Sequence, residues 1–440
     1  MNIKIDRKMA FCIPFVFLGF AAGLPLLLVY STLTAWLFEL GISKTTIGFF
    51  AWVSIAYSFK FLWAPLVDHM PIWKLTRRFG HRRSWLLVSQ VGVLIGLLLM
   101  ASIDPGKNLV LFALCALLVA VSSATQDITL DAYRIEYAPD EKQGILIAAY
   151  QFGYRTAMLI AGAGALILAE QYSWSTTYVA ASTLMFVGMV TVLLVKETKP
   201  YKNSALDQNA PPPLRRRSSV EWLAELYRVL ILPMTDIIQR YRWEAIIILS
   251  FVGLFRISDL AMAIMVNPFL LETGFTKLQI AEISKLYGFI MVLVGAAIGG
   301  GIVSRFGVVS PLLVGSILVS FSNLAFLLVA KQAGPEVFWL IVAVSIENLA
   351  SGFAGTVFIA FLSSLTSRSF TATQYALLSS FMLMPGKFIS GFSGIVVDGF
   401  GYDSFFVYST LLGIPSIFLA AGLIFMKSRA ASESGRDTLT

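Results

Sequence analysis

The chain has 440 residues, 57% of them hydrophobic and 13% charged, with a mean hydropathy of +0.79 and a formal net charge of +8. That balance lies far outside the range of water-soluble domains and makes the lipid bilayer the relevant solvent. It excludes a soluble enzyme or binding module, and the positive charge does not point to nucleic acid, because the basic residues fall where membrane topology requires them.

A helix crosses the hydrocarbon core with about 20 apolar residues, since lipid offers backbone groups no hydrogen-bond partner. Twelve such runs follow one another: 10–37, 46–66, 84–102, 109–130, 144–168, 176–195, 244–270, 279–303, 310–330, 337–362, 374–397 and 405–426. The first is too long for a signal-peptide core and no small-residue cleavage site follows it, so it reads as a retained span. Lys and Arg mark the cytoplasmic side. With the N-terminus inside, the outside loops hold only Lys44, Lys107, Lys277 and Lys331. The inside segments hold Lys4, Arg7 and Lys8, the cluster from Lys74 to Arg83, the bases between Lys196 and Arg242, and others. Both termini are expected in the cytoplasm.

A polar segment containing Pro211, Pro212, Pro213 and then Arg215, Arg216, Arg217 splits the spans six and six. The expected organisation is a first six-helix bundle over 1–195, a cytoplasmic linker over 196–243, a second six-helix bundle over 244–426 and a cytoplasmic tail over 427–440. Around Trp222, Leu226 and Val229 the linker pattern fits a short helix lying on the membrane surface.

The halves echo each other, which is the mark of an internal repeat. Gly41-Ile42-Ser43-Lys44 precedes span two and Gly274-Phe275-Thr276-Lys277 precedes span eight, and Gln143 and Gln374 open spans five and eleven. Asp68 followed by Arg82-Arg83, with a shorter counterpart at Ser304-Arg305-Phe306-Gly307, resembles the loop motif of major facilitator transporters. The implied fold is all-α, with twelve transmembrane helices in two bundles.

Cys12 and Cys115 fall in apolar spans, so neither a disulfide framework nor a metal site is expected, and no cofactor is implied. His69 and His81 sit in a basic loop and read as solvated side chains rather than proton relays.

Charges inside the spans are the main functional signal, because each costs several kcal/mol unless it faces water or a partner. At about 1.5 Å per residue, Arg155, Arg256 and Glu347 fall near mid-membrane. Asp259, Lys60 and Lys387 lie further along, Asp127 lies deep in the cytoplasmic half, and Lys285 lies nearer the outer surface, where snorkelling explains it. The cations outnumber Asp127, Asp259 and Glu347, which implies an anionic substrate. Arg256 and Asp259 are also spaced i,i+3 and could simply neutralise each other.

Asp127, Asp131 and Arg134 share one face of span four. Asp127 fits the floor of a cavity, and Asp131 and Arg134 fit gate ion pairs with the loop beginning at Asp68. Proton coupling needs an acid whose pKa changes as access alternates; Glu347 and Asp127 lead, with Asp259 the third acid in the spans. Tyr150 and Tyr154 share one face of span five, as do Gln151 and Arg155, so that span can present polar groups and rings inward. Trp36 and Trp52 read as packing or interfacial anchors, and Gly352, Gly355, Gly391 and Gly394 as close helix contacts.

Several segments resemble the muropeptide permeases of Gram-negative bacteria, the AmpG family. They are Gly19-Phe20-Ala21-Ala22-Gly23-Leu24-Pro25, Phe59-Lys60-Phe61-Leu62-Trp63-Ala64-Pro65, Ser123-Ala124-Thr125-Gln126-Asp127, Glu347-Asn348-Leu349, and Ala372-Thr373-Gln374-Tyr375-Ala376. The resemblance implies proton-driven import of anhydromuropeptides across the inner membrane by a protein expected to act as a monomer. By position it also carries Lys60, Gln126, Asp127, Glu347 and Asn348 over as polar span residues of the family. Two features depart from the pattern: some members have two further C-terminal spans, and Arg256 stands where such members carry a Lys before the span-seven Asp. Related branches carry siderophores or acetyl-CoA, which are also large and anionic. A membrane enzyme is disfavoured because no nucleophile elbow, metal-ligand cluster or phosphate loop appears on the spans; a receptor without flux is the remaining competitor.

Overall fold

The computed structural model describes residues 11–138, 140–198, 227, 232–366 and 371–437, and over these the chain is built from helices. Eleven helices are long and apolar enough to cross a membrane: α1 Ile13–Glu39, α2 Lys44–Leu62, α3 His81–Ser102, α4 Leu109–Tyr137, α5 Leu146–Gln171, α6 Trp174–Leu194, α7 Glu244–Glu272, α8 Lys277–Phe306, α9 Val309–Ala330, α10 Val337–Leu365 and α12 Ser393–Met426. Helix α11, Thr371–Ser390, stands between the last two and carries the shorter apolar stretch Leu377–Ser390.

The expected eleventh span ran unbroken to 397. Instead the helix is interrupted at Gly391-Phe392, and the backbone turns at Gly401, with φ +77°. Hydropathy could not reveal the interruption, because the apolar pattern continues through it. Close packing surrounds it: a Cβ on Gly391 would collide with the Trp52 indole, and one on Gly394 with the Lys44 carbonyl.

By contacts the chain forms two units. The first comprises the described residues of Met1–Leu40 and Phe59–Ala224, the second those of Gly41–Ser58 and Glu225–Thr440. In the first, α1 and α5 approach backbone to backbone: side chains at Gly19, Gly23 or Gly153 would strike the carbonyls of Tyr150, Tyr154 and Val16. Phe15, Leu18, Tyr133, Leu146 and Val192 form an apolar core beside this contact. In the second, α8 and α10 use the same device, with Gly295 against Leu349 and Gly352 against Val292, and Phe251, Phe255 and Phe358 form the core. Such contacts suit a bilayer, where helix association rests on close packing rather than on a hydrophobic drive.

The repeated motif at the starts of α2 and α8 is a turn followed by a cap. Gly41 and Gly274 adopt φ +73° and +99°, which other residues avoid. Ser43 then caps α2 through the Thr46 N–H, and Thr276 forms a capping box with Gln279.

Trp222, Leu226 and Val229 lie outside the described residues. The described linker helix is Leu232–Tyr241. Arg240 donates to the Leu365 carbonyl at 2.8 Å and Gln374 donates to Asp236 at 2.7 Å, tying this helix to the ends of α10 and α11.

Candidate functional site

In the second unit, α7 breaks at Phe255-Arg256, and Arg256 occupies the cap position of its next segment. Asp259 therefore lies in a helical first turn, where the peptide dipoles favour a carboxylate. The two side chains form an ion pair of 2.6 Å, with only 22% and 16% of their side-chain surfaces exposed. Glu347 of α10 lies within electrostatic reach of this pair and of Lys285, which sits in a π-helical segment of α8, Ile280–Tyr287. π-helical turns often mark functional sites.

Lys285, read from the sequence as snorkelling, thus belongs to a cluster of two cations and two carboxylates. Asn348 lies against Gly288 of α8, and its side chain donates to the Val344 carbonyl at 2.9 Å. Gly355 is not a helix contact like Gly352. A Cβ there would meet only the Arg256 guanidinium, at 3.8 Å, so it leaves space beside the charge.

In the first unit, Tyr150 of α5 neighbours Asp127, Asp131, Arg134 and Tyr154, and the Tyr150 and Tyr154 rings lie 5.8 Å apart. Gln151 and Arg155 are exposed on the same helix, and Lys60 and Asp127 are half-buried. Gln126 is fully buried, and neither atom of its amide has a hydrogen-bond partner among the described residues. The excess of cations in the spans comes from Lys60 and Arg155 against Asp127 here and from Lys387 in the second unit, whose four-charge cluster is balanced.

Around the start of α3 the organising residue is Arg82, which lies in the quoted loop motif but outside the expected gate set. It bridges Asp68 at 2.7 Å and Glu136 at 2.7 Å. Asp131 pairs at 3.6 Å with Arg134 of its own helix. Glu197 accepts from the Arg82 and Arg83 backbone N–H groups and so caps α3. His81 is half-buried with Nε2 2.9 Å from the Val67 carbonyl, rather than solvated.

The second unit also carries a clasp that sequence reasoning missed, in which the start of α2 meets α7, α11 and α12. Lys44 pairs with Glu272 at 2.6 Å and lies over the Tyr402 ring. Thr45 donates to Asp398 from both its N–H and its hydroxyl, each at 2.7 Å. Trp52 stacks on Phe388 with centroids 5.8 Å apart and donates to that residue's carbonyl. Lys387, expected to face substrate, is buried here; its Nζ donates to the Ser54 carbonyl at 2.7 Å and lies over the Tyr57 ring. The sequence marked its pieces separately, Lys44 in the repeated motif, Trp52 as a packing or anchoring residue, Gly391 and Gly394 as close contacts and Lys387 as a span charge, but not that they meet.

The chain matches the Major Facilitator Superfamily over residues 10–258. It is 34% identical to AmpG 4, a transporter of Rickettsia conorii, over 91% of this chain and 94% of that protein. The chain belongs to the AmpG family of the major facilitator superfamily. It is 32% identical to the anhydromuropeptide permease of Escherichia coli, over 91% of this chain and 77% of that protein. Among solved structures, the D-xylose-proton symporter aligns with a TM-score of 0.69 and 13% identity, covering 95% of this chain and 97% of that one, a likeness of fold. The AmpG-family protein is accordingly a multi-pass membrane transporter and not an enzyme, as the family resemblance of its segments implied.

Proposed function

We propose that this AmpG-family protein imports anhydromuropeptides, N-acetylglucosamine linked to anhydro-N-acetylmuramic acid with or without a peptide, across the bacterial inner membrane by proton symport. The observation that carries this reading is the 32% identity, over nine-tenths of the chain, to a protein named for that substrate. The chemistry agrees. Ligand carboxylates need cations, which Lys60, Arg155 and Arg256 supply, and sugar rings need faces to stack on, which the Tyr150–Tyr154 pair offers. Gln151 and Asn348 add amides. Gln126 and Lys387 join them only in a conformation that frees them from their present burial.

Glu347, with Asp259 and two cations around it, is the leading proton carrier, and Asp127 is the counterpart in the first unit. Alternating access would work two six-helix bundles, 1–195 and 244–426, against each other. Asp68, Arg82, Asp131 and Arg134 would gate the inner end.

The test is accumulation of labelled N-acetylglucosaminyl-anhydro-N-acetylmuramyl peptide in proteoliposomes, with and without an imposed proton gradient. Gradient-dependent uptake lost in Glu347→Gln or Asp127→Asn is the expected result. No uptake by folded, inserted protein overturns the substrate and turns attention to a siderophore or acetyl-CoA, and binding without flux would make the protein a receptor.

A further inference from the structure

The first unit carries a groove that the charge clusters do not use. It encloses about 930 Å³ between α1 and α6, walled by Phe17, Phe186, Val190 and Leu194 and closed at one end by Tyr137 and Lys196. Its walls are open: Leu194 is 79% exposed, Phe186 51% and Val190 50%. From Phe186 to Lys196 the groove runs about 15 Å at 1.5 Å per residue, half of the ~30 Å hydrocarbon core. It therefore spans one leaflet, from mid-membrane to headgroup level.

The headgroup end is basic. Lys196 is exposed. Arg83 lies beside it, donating to the Val192 and Leu193 carbonyls at 2.8 and 2.9 Å. The carboxylates adjacent in the chain and the fold already have partners: Glu197 accepts from the Arg82 and Arg83 backbone N–H groups at the start of α3, and Glu136 accepts from Arg82 and Thr198. A basic pocket between helices on the cytoplasmic side is the setting in which acidic lipid headgroups bind.

We propose that this groove holds an acyl chain of one anionic phospholipid of the cytoplasmic leaflet, its phosphate at Lys196. The choice of leaflet rests on the orientation argued from the basic residues; the groove and its charge do not. The test uses the full chain in detergent, titrated with phosphatidylglycerol or phosphatidylcholine of equal chain length and read by native mass spectrometry.

One phosphatidylglycerol is expected to be retained in preference to phosphatidylcholine. Lys196→Gln should weaken it about fivefold, the effect of one basic residue near a lipid surface, and Lys196→Arg should restore it. Val190→Trp, which fills the groove, should abolish retention, whereas Val179→Trp, equally bulky on an exposed part of α6 outside the groove, should not. Equal retention of the two lipids, no retained lipid at all, or phosphatidylglycerol binding unchanged in both Lys196→Gln and Val190→Trp overturns the proposal. Because the readout is lipid and not uptake, its failure is separate from failure of the transport reading.

Discussion

An arginine and an aspartate one helical turn apart inside a membrane can neutralise each other or serve a ligand, and Arg256 with Asp259 can be made to reveal which. Removing one member of a largely buried pair strands the other charge, at a cost of about 3–5 kcal/mol, whereas replacing both by apolar residues is often near neutral. Arg256→Met is expected to lower the thermal midpoint strongly, and the Arg256→Met, Asp259→Leu double variant to recover most of that loss. Uptake should stay lost in both if the cluster is the transport site. Recovered uptake in the double variant would reduce the pair to a structural one.

The two neighbouring glycines separate in the same way. Gly352→Ala meets the Val292 carbonyl and should destabilise by about 1–3 kcal/mol, the usual cost of overpacking. Gly355→Leu places its Cβ in contact with Arg256 alone, and should cut uptake while leaving the thermal midpoint close to wild type. Equal effects on stability would remove the distinction. Charge in a span was legible from the sequence because any such charge must find water or a partner and is therefore rare. Burial of a polar residue was not: Gln126 and Lys387 carry no mark that distinguishes a side chain facing a ligand from one facing its own protein.

At the scale of elements, the spans were legible, since hydropathy and the need to satisfy backbone groups act locally: eleven of the twelve expected spans have a membrane-crossing counterpart among the described residues, most with ends within a few residues, although α4 ends seven residues later and α12 starts twelve residues earlier than expected. The breaks were not, because those at Phe255-Arg256 and Gly391-Phe392 are set by what packs or caps there. The clasp of α2 on α11 and α12 is of the same kind. Its ion pair, its stacked rings and its glycine contacts all join residues far apart in the chain, so Lys44, Trp52, Gly391 and Gly394 stood out singly but their meeting did not. Alternating access requires contacts at each end to part in turn. Loosening the clasp should therefore raise exposure at its centre, where Ser54 is 1% exposed. In a Ser54→Cys background, Trp52→Ala and Asp398→Asn are each expected to increase labelling by a water-soluble maleimide, with Asp398→Asn acting through the two hydrogen bonds from Thr45. Unchanged labelling in both would show a fixed strut rather than a gate.

For the molecule as a whole, orientation decides which end of each element faces the substrate supply, and it follows from charge asymmetry alone. The loops before α2, α4, α8 and α10, with the first residues of those helices, carry only Lys44, Lys107, Lys277 and Lys331, while the segment joining α2 to α3, with the first turn of α3, holds Lys74, Arg77, Arg78, Arg82 and Arg83. Bases close to span ends resist translocation, so the orientation expected from the sequence puts the Arg82 network in the cytoplasm and the Lys44 clasp on the opposite side. Cys12 and Cys115 are both buried, which keeps the labelling background low. Single cysteines at Lys107 and Lys331 are expected to react with an impermeant maleimide in intact cells, and cysteines at Arg77 and Arg305 only after permeabilisation. The inverse pattern would place the Arg82 network outside and exchange the inner and outer gates. It would also move the Lys196 end of the lipid groove to the outer leaflet, leaving the charge clusters and their chemistry as they stand.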